Sequence, residues 1–259
     1  MHSSQQVKEY WEGRAKDDKE ATSTTNDIYL RQIEQRVLLD NCKIFDNPLI
    51  LDVGCGDART SAVIASGLPT ARVIGIDYAQ HMIDNATDLH FGIPNLDLLV
   101  ADCTSGEPSS DYLSMFDIAY STRCLINILE DKNRLNAIHF IHKSLKVGGV
   151  YLMIENFKEG QINFNRVRED VGLQPIPVRD HNRFFDAQEL RMAIDGLFEL
   201  EESINISSSY YLTTRVVYSK ICDDNATQPD YNDSHHKYAS MLPFAGDFGP
   251  LYLKLLRKI

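Results

Sequence analysis

The sequence predicts an α/β chain built on a doubly wound, mostly parallel sheet. Three observations carry that expectation. Leu49–Arg59 is an apolar run with β-branched residues that stops at Gly54-Cys55-Gly56 and passes into a helix-like segment. This is the pattern of a buried strand entering a tight glycine turn that opens a helix. Two further apolar runs, Arg72–Asp77 and Leu96–Asp102, also end in an acid. From there to Glu155 strand-like and helix-like segments alternate with short connectors, as parallel sheets require.

The elements follow in order. Val7–Glu20 is a charged amphipathic segment holding the single tryptophan, Trp11. The polar run Thr22–Asp27 offers N-caps for a helix from about Ile28 to Leu39, striped by Leu30, Ile33, Val37 and Leu38. After the first strand, a helix over Arg59–Ser66 stops at Gly67, a residue suited to a left-handed C-cap. The second strand, Arg72–Asp77, feeds a helix over Ala79–Leu89, and the third strand ends at Asp102-Cys103. Met115–Tyr120 is a fourth strand, Asp131–Leu145 a helix stopped by Gly148-Gly149, and Val150–Glu155 a fifth strand. Then the pattern changes. Phe157–Arg183 is polar, with a short helix-like stretch at Asn163–Val171, and Ala187–Ile194 reads as a helix. Phe198–Ile206 alternates as a sixth strand and Gly249–Lys258 as the last. The stretch between them, Ser207–Phe248, is too long for a hairpin and reads as an insertion covering a site, with helices expected over Ser208–Ile221 and His235–Leu242.

Composition narrows the function. A formal net charge of −11 argues against partners held by general electrostatics, so no nucleic acid and no anionic membrane are expected. The five cysteines are odd in number and lack metal-ligand spacing, which predicts a reduced, cytoplasmic, soluble chain with no metal. No apolar N-terminal region or membrane-length run is evident.

The glycine turn lets a ligand lie against bare backbone, at a helix start whose N–H groups point toward it. Asp52, near the end of the first strand, would repel a pyrophosphate and suits a ligand with an ammonium and a sulfonium. Arg59 stands where a dinucleotide fingerprint has its third glycine. Asp77 lies about twenty residues beyond the turn, where α/β nucleotide folds place a ribose-binding carboxylate.

Leu51-Asp-Val-Gly-Cys-Gly, Gly75-Ile-Asp77, Ala101-Asp102 and Phe116-Asp-Ile-Ala, in this order, resemble the class I S-adenosylmethionine-dependent methyltransferases. Tyr10-Trp-Glu-Gly-Arg-Ala, Thr24–Arg31, Ser121–Asn127, Glu155-Asn-Phe and Val178–Asn182 resemble a bacterial subgroup often linked to polysaccharide and sugar biosynthesis. The resemblance implies a Rossmann-like seven-stranded sheet with an antiparallel last strand. It also implies a helical lid over 1–47 and a single domain over 48–259, with covering segments at about 157–183 and 207–248. For the cofactor, S-adenosylmethionine, it implies Asp52, Gly54, Cys55 and Gly56 beside the methionine part. By the same resemblance Asp77 binds the ribose, Tyr78 or Met82 lies against the adenine, and Asp102 and Cys103 read its edge. Tyr10, Arg14 and Asn26 belong to the lid, and Ser121 completes the cofactor set.

Two departures from related patterns bear on the acceptor. Tyr120-Ser-Thr-Arg-Cys has no Asn/Asp-Pro-Pro motif, against nucleic-acid amino methylation, and no aspartate after the fourth strand would partner Glu155-Asn156 on a metal. The subgroup resemblance implies a small polar acceptor, methylated on oxygen, such as a saccharide or nucleotide-activated sugar. His181 is the candidate general base, because an imidazole titrates in the useful range. Arg123, Asn127, Asn156, Arg179 and Arg183 are the expected acceptor-binding set, arginines suiting a phosphate or carboxylate. The alternatives are a cofactor-binding regulatory homologue without catalysis and an N-methyltransferase of a small amine. A nicotinamide-dependent oxidoreductase is disfavoured by Asp52 and Arg59.

Overall fold

A computed structural model describes Gly13 and residues 26–259. The helices that flank the sheet are α1 (Ile28–Cys42), α2 (Arg59–Gly67), α3 (Gln80–Leu89), α4 (Asp131–Ser144), α5 (Lys158–Asp170) and α6 (Ala187–Ile194). The strands are β1 (Leu49–Val53), β2 (Arg72–Asp77), β3 (Leu96–Val100), β4 (Phe116–Thr122), β5 (Leu145–Asn156), β6 (Phe198–Asn205) and β7 (Leu251–Lys258). They form one seven-stranded sheet in the order β3-β2-β1-β4-β5-β7-β6. The first five strands run parallel, and β7 is antiparallel to both β5 and β6. This is the doubly wound, Rossmann-like sheet with an antiparallel last strand that the sequence predicts.

Alternation along the central strands divides the core between the two faces. Leu51, Val53, Ala119, Tyr151 and Met153 pack on one side with α4 and α6. Ile50, Ile118, Tyr120, Leu152 and Ile154 pack on the other, with Leu30, Ile33, Val37, Leu38 and Cys42 of α1. Each such side chain contributes roughly 1.5–3 kcal/mol when fully buried. That is enough to fix α1 against the sheet as part of the helical layer. The described portion of the N-terminal segment packs directly on the sheet. Asp27 starts α1 by accepting the Leu30 N–H at 3.0 Å.

Several local expectations change. Gly67 lies inside α2 without a positive φ; its bare Cα admits Leu39, whose Cδ1 lies 2.8 Å from where a Cβ would sit. The fifth strand starts at Leu145, and Gly148-Gly149 lies within a bulge between the Phe116–Leu145 and Ile118–Val150 pairs. The helix after β5 begins at Lys158, five residues before the apolar pattern suggested. The late insertion holds α7 (Ser208–Tyr211), a π-helical stretch at Leu212–Tyr218, α8 (Ser219–Asp224) and α9 (Ser234–Ala239).

Candidate active site

The glycine turn forms as the local pattern demands. Gly54 and Gly56 have φ of 75° and 53°, and the Gly54 and Cys55 N–H groups donate to the Ile76 carbonyl at 2.8 and 2.9 Å. Asp77, at the end of β2, accepts the Gly56 N–H at 3.0 Å and the Ala79 N–H at 2.9 Å. Its carboxylate therefore joins β2 to the turn.

The turn opens into a cavity of about 510 Å³. Gly54, Cys55, Gly56, Asp77, Tyr78 and Met82 line one end, with Cys103 beside them. Asn26 and four further residues of the N-terminal wall, Asp27, Leu30, Arg31 and Glu34, line a side. Arg123, Asn127, Asn156, Arg179 and His181 line the rest, together with Tyr211, Arg215 and Tyr231 from the insertion. Asn127 donates its amide N–H to the Arg123 carbonyl at 2.7 Å, and its buried Oδ1 has no hydrogen-bond partner among the described residues. An acceptor atom so placed favours a ligand bearing a donor.

Four expected site residues stand outside the cavity wall. Asp52 is enclosed within the fold, accepting from Ser61 Oγ at 2.5 Å and Tyr120 OH at 2.9 Å. Burial pushes its pKa up to about 7; the two hydrogen bonds pull it down, and Asp77 and Asp57 add to the rise. Asp57, one residue past the turn, does line the cavity, paired with Arg59 at 3.3 Å and Arg31 at 3.7 Å. Asp102 turns onto its own chain, accepting the Thr104 N–H at 2.9 Å and hydroxyl at 2.6 Å. Ser121 is fully buried and bonds Glu155 at 2.8 Å and Tyr151 OH at 2.7 Å. Arg183 faces Asp131 at 2.5 Å and Glu189 at 3.0 Å, in a network with Arg134. Tyr10 and Arg14 lie outside the described residues.

Glu155 has a role that its sequence position does not reveal. Its completely buried carboxylate accepts from Ser121 Oγ and from the Cys124, Leu125 and Ile126 N–H groups at 3.1, 3.0 and 3.2 Å. It thereby holds the turn after β4, which carries Arg123, Cys124 and Asn127 into the cavity. Burial raises its pKa and the four hydrogen bonds oppose that rise. Arg123 sits at φ 50° and forms a two-pronged ion pair with buried Glu34 of α1, at 2.7 and 3.1 Å. A second tie crosses the cavity mouth. Asp27 accepts from Tyr210 OH at 2.6 Å and from Arg215 Nη2. Neither tie has a local sequence signature, because each partner lies far away in the chain.

No described helix is long and apolar enough to cross a membrane. Among the described residues, no group of three His, Cys, Asp or Glu is placed to hold a metal ion.

Residues 50–149 match a family model described as a methyltransferase domain. Among curated proteins, the chain is 29% identical over 127 residues to the protein of Invertebrate iridescent virus 6 that bears the methyltransferase name 235L; the match spans 49% of this chain and 44% of the relative. It is 23% identical over 164 residues to malonyl-[acyl-carrier protein] O-methyltransferase 2 of Ilyobacter polytropus, spanning 62% and 60%. The chain thus spans about half the length of the curated relatives it matches. Among solved structures, a TehB-like S-adenosylmethionine-dependent methyltransferase from Corynebacterium glutamicum superposes with a TM-score of 0.55 at 18% identity, over 99% of this chain and 98% of that one. Residues 50–149 are thus similar to methyltransferase domains, and the chain shares its fold with a solved S-adenosylmethionine-dependent methyltransferase.

Proposed function

We propose that the whole chain is an S-adenosylmethionine-dependent methyltransferase that transfers the methyl group to an oxygen of a small polar acceptor, such as a saccharide or nucleotide-activated sugar. One observation carries this reading. A single cavity joins the glycine turn and Asp77 at one end to Arg179 and His181 at the other. The residues at the first end suit the cofactor: bare glycine backbone for close approach, a strand-end carboxylate for ribose hydroxyls, and Tyr78 and Met82 for an adenine face. Asp57 and Asp77 set two carboxylates at that end, Asp57 beside Arg31 and Arg59, and a carboxylate there suits an ammonium and a sulfonium. In this assignment Asp57 faces the cationic part, while enclosed Asp52 acts through Ser61 on the start of α2.

The bound cofactor supplies a methyl group on a positively charged sulfur. The protein supplies alignment and exclusion of water, with effective molarities equivalent to roughly 7–11 kcal/mol in favourable cases. His181 takes the proton of the acceptor hydroxyl, and Asn127 Oδ1 accepts a hydrogen bond from a second donor on the acceptor. The name of the Ilyobacter relative describes an oxygen acceptor, which agrees with this choice of atom.

Isothermal titration with S-adenosylhomocysteine tests the reading. Wild-type protein binds it, and Asp77→Ala weakens binding by about 1.5–3 kcal/mol through loss of a charged acceptor. Absence of binding at millimolar concentration refutes the cofactor, and an unchanged affinity in the variant refutes the ribose role.

A further inference from the structure

The arginines expected to read an anion are redistributed in the fold. Arg123 is matched by Glu34, and Arg183 is held outside the cavity by Asp131 and Glu189. Arg215 reaches the cavity instead, from the π-helical stretch of the late insertion. Single π turns within helices recur at functional sites, since the widened turn redirects a side chain. Here Thr214 bonds back to the Tyr210 carbonyl at 2.6 Å, and Arg215 points inward with 8% of its surface exposed.

The guanidinium is held as a plane. Its carbon lies 4.3 Å from the Tyr231 ring centre and 5.4 Å from that of Tyr211. Nη1 donates to Thr214 Oγ1 at 3.1 Å and faces His236 Nε2 at 2.7 Å. Because a guanidinium only donates, His236 Nε2 is an acceptor and that imidazole is neutral. Nη2 donates to Asp27. These contacts use three of the five N–H donors. The Nε–H and one Nη2 N–H make no bond among the described residues. Its one counter-ion among the described residues, Asp27, also accepts from Tyr210 OH and the Leu30 N–H. Arg179, on the same cavity wall, has no ion pair among the described residues.

We propose that Arg215, preorganised by Tyr231, His236 and Asp27, seats a carboxylate or phosphate of the methyl acceptor, with Arg179 at the outer rim of the same subsite. The proposal rests on the methyltransferase reading and narrows its substrates to anionic ones. A planar fork with two adjacent donors matches both anions, whereas a purely structural pair would use the cation without leaving donors toward a cavity. The aromatic walls exclude water and raise the value of each remaining N–H.

Inorganic pyrophosphate and malonate, titrated separately into protein saturated with S-adenosylhomocysteine, test the subsite and distinguish phosphate from carboxylate. At least one binds wild-type protein. Arg215→Gln weakens that binding tenfold or more and Arg179→Gln severalfold, while S-adenosylhomocysteine affinity stays within twofold in both. Failure of both anions to bind wild-type protein, or equal binding by Arg215→Gln, overturns the proposal. Should Arg215→Gln not fold, the Arg215 Nε resonance of wild-type protein decides: a shift on saturation supports the subsite and an unmoved signal overturns it. The same titrations on protein without S-adenosylhomocysteine separate the two readings. Arg215-dependent anion binding in a chain that fails to bind S-adenosylhomocysteine removes the methyltransferase reading alone.

Discussion

Glu155→Ala and Glu155→Gln together ask whether this buried carboxylate acts through its charge or through its acceptor atoms. The alanine variant strips the acceptor from the buried N–H groups of Leu125 and Ile126, from the half-buried Cys124 N–H, and from the Ser121 hydroxyl. An unsatisfied buried donor costs about 1–3 kcal/mol. Water entering the space left by the side chain offsets part of this, so a loss of about 4 kcal/mol is expected. In a domain of this size each kcal/mol moves the melting temperature by roughly 2–4 °C, giving a fall of about 8–16 °C. The glutamine variant behaves differently. It keeps one oxygen for Ser121 and the Cys124 and Leu125 N–H groups, and sets an amide against the Ile126 N–H. Burial disfavours the ionised carboxylate, so removing the charge returns part of what the lost bond costs. A loss of about 2 kcal/mol or less is expected, with S-adenosylhomocysteine affinity within a few-fold because the turn survives. Calorimetric melting and isothermal titration read both. An alanine variant within about 1 kcal/mol of wild type, or a glutamine variant as damaged as the alanine one, refutes the acceptor argument.

Two other perturbations address the chemistry and the pH response. His181→Ala lowers turnover on the true acceptor by about 10²–10⁴-fold with cofactor affinity retained, as loss of a general base predicts, and normal turnover dismisses the role. Asp52 holds its proton in the folded chain up to pH about 7, against 3.8 for the free side chain. Between those values the unfolded chain releases this proton while the folded chain keeps it, so rising pH costs stability there and the effect levels off above 7. The sum is roughly 4 kcal/mol at about 1.4 kcal/mol per pH unit. Asp52→Asn lacks this loss, so its stability relative to wild type climbs from pH 4 to 7 in denaturant titrations; a difference independent of pH contradicts the buried-proton account.

The fold was legible in the sequence because its signals are local. A strand, a glycine turn and a helix start occupy neighbouring residues at Leu49–Arg59. Periodicity in Arg72–Asp77 and Ala187–Ile194 reproduces the element bounds. The glycine turn, Asp77, and His181 beside Arg179 were likewise readable, and they line one cavity. Spacing could not tell which acids and arginines face that cavity. Asp52 and Asp57 flank the same turn. The first is enclosed by Tyr120 from the neighbouring strand and Ser61 from α2; the second is left at the wall.

Ser121 and Asp102 carry suitable groups at suitable positions, yet their nearest partners, Glu155 and Thr104, turn them away from the cavity. Arg183 and Arg215 exchange roles for the same reason: Glu189 and Asp131 hold the first outside, while the π turn and Asp27 bring the second in. What the sequence alone determined is the strand–turn–helix frame and the kind of ligand that its glycines and strand-end acid receive. Which charges remain to meet an acceptor was decided only in three dimensions. A buried charge is matched by whatever the fold sets beside it, and for Arg215 that is Asp27, 188 residues away along the chain.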